Sequence, residues 1–248
     1  MTIALRAAGT IVAGTTSAAP AYPAGIGGGD AVFLGATWKL ETATAPTISG
    51  WTIVVNQTVG SGAAGVGTGA QRIVIWRKDT VAGGESGTVT VTPSGTVNVT
   101  EAGIIAFSKT GSSWDITYDY GNDTTAAVNL SCTSQAQIAH AAADLIAFFA
   151  GAAANSNMGS STVATTGVVY GTAVEHSDVG SANGNAIRAS WNSRPVTSGT
   201  QSAVTTFAST IAVSVTGGVG LVRLRETGMD PRTMIQPNRA RLIRASHY

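Results

Sequence analysis

The chain has 248 residues, 31 of them Gly, and only 11% carry charge, for a net formal charge of +1. Low charge with abundant Gly, Thr, Ser and Val is the composition of short strands joined by small-residue loops. It excludes disorder for the body of the chain, which needs high charge and few β-branched residues. The single cysteine, Cys132, excludes an internal disulfide. It reads as a small semi-buried hydrophobe, and stability has to come from core packing or partner subunits.

The first 25 residues hold one basic residue, Arg6, and their apolar run is broken by Gly9 and Thr10. Alternation of Ile3, Leu5 and Ala7 reads as an opening strand rather than a secretion signal. Strand patterns follow at 31–40 and 51–55. The stretch around which the rest is organised comes next, with strands expected at 72–77, 88–92 and 103–108. In the middle one Val89 and Val91 alternate with Thr88, Thr90 and Thr92, the period of a sheet with one wet face. Further strand patterns lie at 114–118, 145–150, 167–172, 186–191, 203–207 and 211–222, separated by Gly-, Ser- and Thr-rich connectors. Only 136–150 could hold a helix, and there 140–144 reads instead as a loop feeding a buried strand. No apolar run is long enough to span a bilayer, the best being 145–154.

The halves rhyme. Asp30-Ala-Val-Phe-Leu-Gly-Ala matches Asp144-Leu-Ile-Ala-Phe-Phe-Ala 114 residues later, and Trp76 matches Trp191 115 residues on. Two equivalent sets of strands, about 1–125 and 126–225, point to one all-β, jelly-roll-like β-sandwich of about eight or more antiparallel strands. Pro23-Ala-Gly-Ile-Gly-Gly-Gly-Asp-Ala-Val-Phe-Leu, Gly50-Trp51-Thr52, Val74-Ile-Trp-Arg and Gly103-Ile-Ile-Ala-Phe together resemble a jelly-roll module of tailed-bacteriophage virion proteins. The resemblance covers roughly 1–225, and its motifs are structural rather than catalytic. It implies a head or tail component without saying which.

The segment 226–248 departs from that module, losing alternation and containing Gly228, Pro231 and Pro237. Residues 1–222 hold eight Lys/Arg against eleven Asp/Glu, whereas 223–248 hold six Arg against two acids. With Met229, Met234, Ile235, Leu242 and Ile243 the segment is too apolar for a purely solvated tail. It reads as an extended C-terminal arm that docks on a neighbouring subunit through Arg225, Arg232, Met234, Ile235, Arg239, Arg241, Leu242 and Arg244. Six Arg without Lys clusters or interleaved aromatics make a weak nucleic-acid footprint.

Candidate chemistry is sparse. Gly60-Ser-Gly-Ala-Ala-Gly65 fits a dinucleotide fingerprint on paper, but that motif works between a strand and a helix, and Gly/Thr loop follows here. Asp115, Asp119 and Asp123 lack the spacing of a calcium loop. Glu175-His176-Ser177-Asp178 holds hydrolytic residue types without a strained G-x-S-x-G turn. Three His, at 140, 176 and 247, support no zinc cluster. Neither a catalytic site nor a cofactor or metal is expected. Trp114, Tyr118 and Tyr120 form an aromatic cluster that could stack on a sugar ring. The expectation is a non-enzymatic virion structural protein, a decoration or cement protein on the head. Its partners would be copies of itself (a trimer by preference) and the major capsid or another virion protein, with neither membrane nor nucleic acid. The alternative is a tail-tip or fibre component recognising host glycan, which needs Trp114, Tyr118 and Tyr120 exposed together.

Overall fold

The computed structural model describes residues 2–63, 65, 69–111, 113–183 and 185–227. The chain forms an all-β sandwich of antiparallel sheets. In the first half run β1 (Ala4–Ala8), β2 (Val12–Gly14), β3 (Ala31–Lys39), β4 (Trp51–Val59), β5 (Gln71–Lys78) and β6 (Val99–Ser108). The second half holds β7 (Ser113–Ser134), β8 (Ile138–His140), β9 (Leu145–Ala152), β10 (Met158–Ala164) and β11 (Val169–Tyr170). It continues with β12 (Val174–Ser181), β13 (Ile187–Ser198), β14 (Gln201–Ala203) and β15 (Thr206–Thr227).

The first sheet has the order β1-β6-β3-β5-β4, and the second contains the path β7-β15-β9-β13-β12. These are the same sheet built twice. In each half the first strand pairs with the last, the last with the second of the five, and that one with the fourth. Register agrees as well: Ile75–Gly35–Gly103 lie side by side in one sheet, and Trp191–Phe149–Gly220 in the other. Even the irregularities coincide. A bulge between Ile53 and Val55 interrupts β4 opposite Trp76 and Ile75, and one between Glu175 and Ser177 interrupts β12 opposite Asn192 and Trp191. Each sheet is contiguous in sequence, and strands do not pass back and forth between the two. The first sheet's last strand ends at Ser108 and the second sheet's first begins at Ser113, earlier than the boundary near 125 read from the sequence.

The sheets stack with β4 over β7 and with β2 and β6 over β12 and β13. Three apolar layers result. Phe33, Ile73, Ile75, Ile105 and Phe107 meet Leu145, Ala147, Phe149, Trp191, Val222 and Leu224 between the sheets. Outside the first sheet, Leu34, Trp38, Val74, Trp76 and Ile104 lie under loops carrying Ala18, Ile26, Val89 and Val91. Outside the second, Ile146, Phe148, Ala150 and Leu221 lie under Leu130, Cys132, Met158, Val163, Phe207 and Ile211. β3 and β9 are therefore buried on both faces, which is why each reads as a continuous apolar run rather than an alternation.

Several expectations shift. Residues 88–92 are not a strand; they form isolated bridges, Val91 to Ala18 and Thr88 to Ala21, and Val89 and Val91 turn down onto the first sheet. The alternation reported burial correctly, but the partners are loop residues and no ladder forms. The separate patterns at 203–207 and 211–222 belong to β14 and the 22-residue β15. β15 bends where its register against β7 shifts between Thr210 and Gly217. Beyond that bend the β7–β15–β10 part curls over the outer face. The equation of Trp76 with Trp191 is off by one: the register equates Trp191 with Ile75. A one-residue slip reverses the face, so Trp191 points between the sheets and Trp76 points outward. Finally, the body runs through Thr227, so Arg225 belongs to a strand. The other expected arm residues, Arg232, Met234, Ile235, Arg239, Arg241, Leu242 and Arg244, lie outside the described residues.

Candidate functional site

Asp30 and Asp144, the residues ahead of β3 and β9, build the same turn twice. Asp30 Oδ2 accepts from Gly27 N at 2.8 Å, and Asp144 Oδ2 accepts from Ala141 N at 2.8 Å. The residue before each carboxylate has a left-handed backbone, Gly29 at φ +79° and Ala143 at φ +73°. Each Asp then takes an arginine: Arg6 donates to Asp30 at 3.1 Å, and Arg225 clamps Asp144 through Nε and Nη2 at 2.8 Å each. The hydrogen bonds to Asp144 hold the Arg225 guanidinium above its usual range. Arg225 also donates to the Ala139 carbonyl. It is thus a fastening of β15 to the β8–β9 turn, not part of a free arm. Next to it Arg223 forks onto Asp115 at 2.9 and 3.0 Å, and those bonds hold the Asp115 carboxyl below its usual range. The last residues of β15 are therefore tied to both Asp115 and Asp144.

Trp114, Tyr118 and Tyr120 share one face of β7, as their even spacing requires, but it is the inward face. All three are half-buried against the inter-sheet core. Trp114 Nε1 donates to the Gly29 carbonyl at 2.9 Å, and Lys109 Nζ lies 5.5 Å from its ring. Tyr118 meets Phe33 edge-on with centroids 6.5 Å apart. They do not form the common exposed platform that sugar stacking needs. Tyr118 lines an open cleft.

The other candidates separate. Asp119 accepts from Tyr120 N and Ala136 N, and Asp123 from Thr125 N and Ser131 N, so with Asp115 they cap three different places. In 175–178, Ser177 Oγ accepts from Ile11 N, and Asp178 grips Arg188 through both oxygens. His176, the bulged residue, hydrogen-bonds Ser193 Oγ at 2.7 Å and meets the Phe107 ring edge-on. That Ser–His contact was not foreseen, since 17 residues separate the two. Burial pulls the His176 imidazole down to about 4, and among the described residues no acid is hydrogen-bonded to it, so the pair lacks there the third group that orients a general base. Gly60 ends β4 at φ +76° and donates to Asn122 Oδ1 at 2.7 Å, and the next element is strand β5. Among the described residues no group of three or more His, Cys, Asp or Glu could hold a metal ion. Cys132 is buried and its thiol is pushed up by burial, which makes it a poor nucleophile.

Two charged residues inside the sandwich gave no sequence signal beyond interrupting apolar strands. Lys39 is fully buried, and its ammonium donates to the carbonyls of Gly65, Ala153, Asn185 and Ala186 at 2.8–3.0 Å. Burial lowers it to about 8, so it stays charged at neutral pH and ties the two halves together. Glu101 is equally buried. The backbone of Ala189 and Ser181 comes close, but neither carboxyl oxygen has a hydrogen bond of good geometry, and burial pushes the group up to about 9.

A cleft of about 620 Å³ is bordered by Thr165, Tyr170, Arg194, Val204 and Thr206. Its polar groups are mostly engaged with one another. Tyr170 OH meets Thr165 Oγ1 at 2.6 Å, the latter bonds Thr205, and Thr205 meets His140 at 3.0 Å. Arg194 stands over the Tyr170 ring at 5.5 Å and donates to the Gly171 and Val163 carbonyls. A second cleft, about 370 Å³, opens between β4 and β7 and is lined by Thr52, Val54, Arg77, Asp79 and Tyr118. Comparison with family models, with curated proteins and with solved structures returned no match.

Proposed function

We propose that the protein is a non-enzymatic structural component of a tailed-phage virion, by preference a decoration or cement protein on the head shell. The observation that carries the reading is where the basic C-terminal segment begins. It follows directly on β15, a 22-residue strand that pairs with β7 without a break from Gly217 to Thr227 and is pinned near its end by Arg223–Asp115 and Arg225–Asp144. A segment of net positive charge leaving a stiff anchor adds interface to a shell without enlarging the body. The use of charge supports the same reading: among the described residues carboxylates mostly cap turns or pair with arginines and do not converge on a reacting centre. Copies of the protein on a symmetric shell, as trimers by preference, would meet through the same apolar and basic segment.

Antibody labelling of purified particles, read by electron microscopy, tests the assignment. Label spread over the head supports it. Label confined to the tail end replaces it with the tail-tip or fibre reading, for which the Tyr118 cleft is the observation in favour. Particles without label remove the virion reading.

A further inference from the structure

We infer that the cleft between β4 and β7 binds an acidic sugar, with Arg77 holding the carboxylate and Thr52, Asp79 and Tyr118 meeting hydroxyls. Arg77 continues the inward row of β5 after Ile73 and Ile75, so its guanidinium enters the rim of the inter-sheet space, where it is half-buried. Its bonding differs from that of the other described arginines. Arg6, Arg188, Arg223 and Arg225 pair with carboxylates. Arg72 and Arg194 donate to backbone carbonyls. Arg77 has neither, only the Tyr118 hydroxyl at 3.5 Å, the outer limit of a hydrogen bond. A half-buried guanidinium with most of its five donors unspent is stabilised by an anion that fits its fork.

The duplication shows that the fold does not demand this arrangement. The register that equates Ile75 with Trp191 equates Arg77 with Ser193, and the bulge at Val54 corresponds to the bulge at His176. On that side the His176 ring fills the space, bonded to Ser193 and set edge-on against Phe107. One rim is closed by an internal pair, and the equivalent rim is open, cationic and lined by hydrogen-bonding groups. Asp79 chooses between carboxylate ligands. It already accepts from the Thr52 hydroxyl, as it would from a sugar hydroxyl, and it repels a peptide rich in acidic side chains. A sugar acid carries one carboxylate among several hydroxyls and matches both. The volume of about 370 Å³ lies at the small end of ligand sites and suits one or two sugar units. The inference holds whether the protein sits on a head or a tail.

The test titrates the full-length protein with galacturonate and with N-acetylneuraminate, followed by nuclear magnetic resonance. Neutral galactose and a short Asp/Glu peptide are run beside them. Both sugar acids are expected to bind at roughly millimolar Kd, with galactose and the peptide silent at the same concentration. Arg77→Gln should weaken the sugar acids by about tenfold or more with an unchanged melting curve. Should that variant fold poorly, Arg77→Lys keeps the charge but loses the fork, and it is expected to bind several-fold more weakly. The inference is overturned by absence of sugar-acid binding, by binding that survives both substitutions, or by preference for the peptide.

Discussion

Phe149 stands over Gly35: a Cβ built on Gly35 falls 2.6 Å from the Phe149 ring and 2.7 Å from that of Trp191. The two residues occupy equivalent places in the two halves, each in the middle strand of its sheet. These two positions face each other between the sheets, so the large Phe149 on one side requires no side chain at Gly35 on the other. Gly35→Ala should therefore destabilise by about 3 kcal/mol or more, because two aromatic rings in a packed core cannot both withdraw. Pairing it with Phe149→Leu should recover part of the loss, as residues in direct contact do. Urea unfolding of the two single variants and the double variant checks this; simple additivity would show that the two sites do not touch.

The turn ahead of β9 carries the strain that its counterpart avoids. Gly29 takes φ +79° freely, whereas Ala143 is held at φ +73°. Ala143→Gly should raise stability by about 0.5–1 kcal/mol, net of the extra freedom glycine brings to the unfolded chain. A fall in the melting temperature would contradict it.

Glu101 makes stability depend on pH in a direction opposite to the common carboxylate. Its folded value, about 9, lies above the ordinary 4.5. Between these values the unfolded chain releases the proton while the fold retains it, so stability falls as pH rises through that window. Glu101→Gln removes the effect and leaves the shape. The variant should match the parent near pH 4.5 and exceed it at pH 7 by up to about 3 kcal/mol, the gap widening with pH. Comparing variant with parent also cancels His176, whose depressed value gives the reverse slope between about 4 and 6.5. Parallel stability curves would show that Glu101 is ionised in the fold.

Lys39→Met tests the tie between the halves. Among the described residues the ammonium serves the carbonyls of Gly65 on one side and of Ala153, Asn185 and Ala186 on the other. Leaving them unpaired should cost about 3 kcal/mol or more, despite the good volume match of the new side chain. A variant as stable as the parent would show that water replaces the ammonium.

Much of the sandwich was legible because β3, β5, β6 and β9 are largely apolar runs, and burial on both faces writes them plainly. The duplication was legible at Asp30 and Asp144, where turn chemistry fixes the residue. It was misread at Trp76 and Trp191, since adjacent positions on a strand differ only in face and identical residues need not be equivalent ones. β12 was missed because it lacks an apolar alternation: its His, Ser and Asp spend their polarity on partners in other strands and loops, such as Ser193, Ile11 and Arg188. The Thr- and Asn-rich end of β7 was missed for a similar reason: its buried apolar residues there are just Leu130 and Cys132, under the curl that β15 makes. In the β4–β7 cleft Tyr118 was noticed for its ring, whereas Arg77 was passed over, because an arginine's want of a carboxylate is visible only in three dimensions.

The measurement that bears most directly on the central claim is cosedimentation of two forms of the protein with phage heads that lack it. One form is the full chain, and the other lacks Met229–Tyr248. The body ends in a strand fastened by Arg223 and Arg225, so the shortened protein should keep the melting curve of the full chain while losing attachment to the heads. Attachment of both forms alike would contradict the role given to the basic segment.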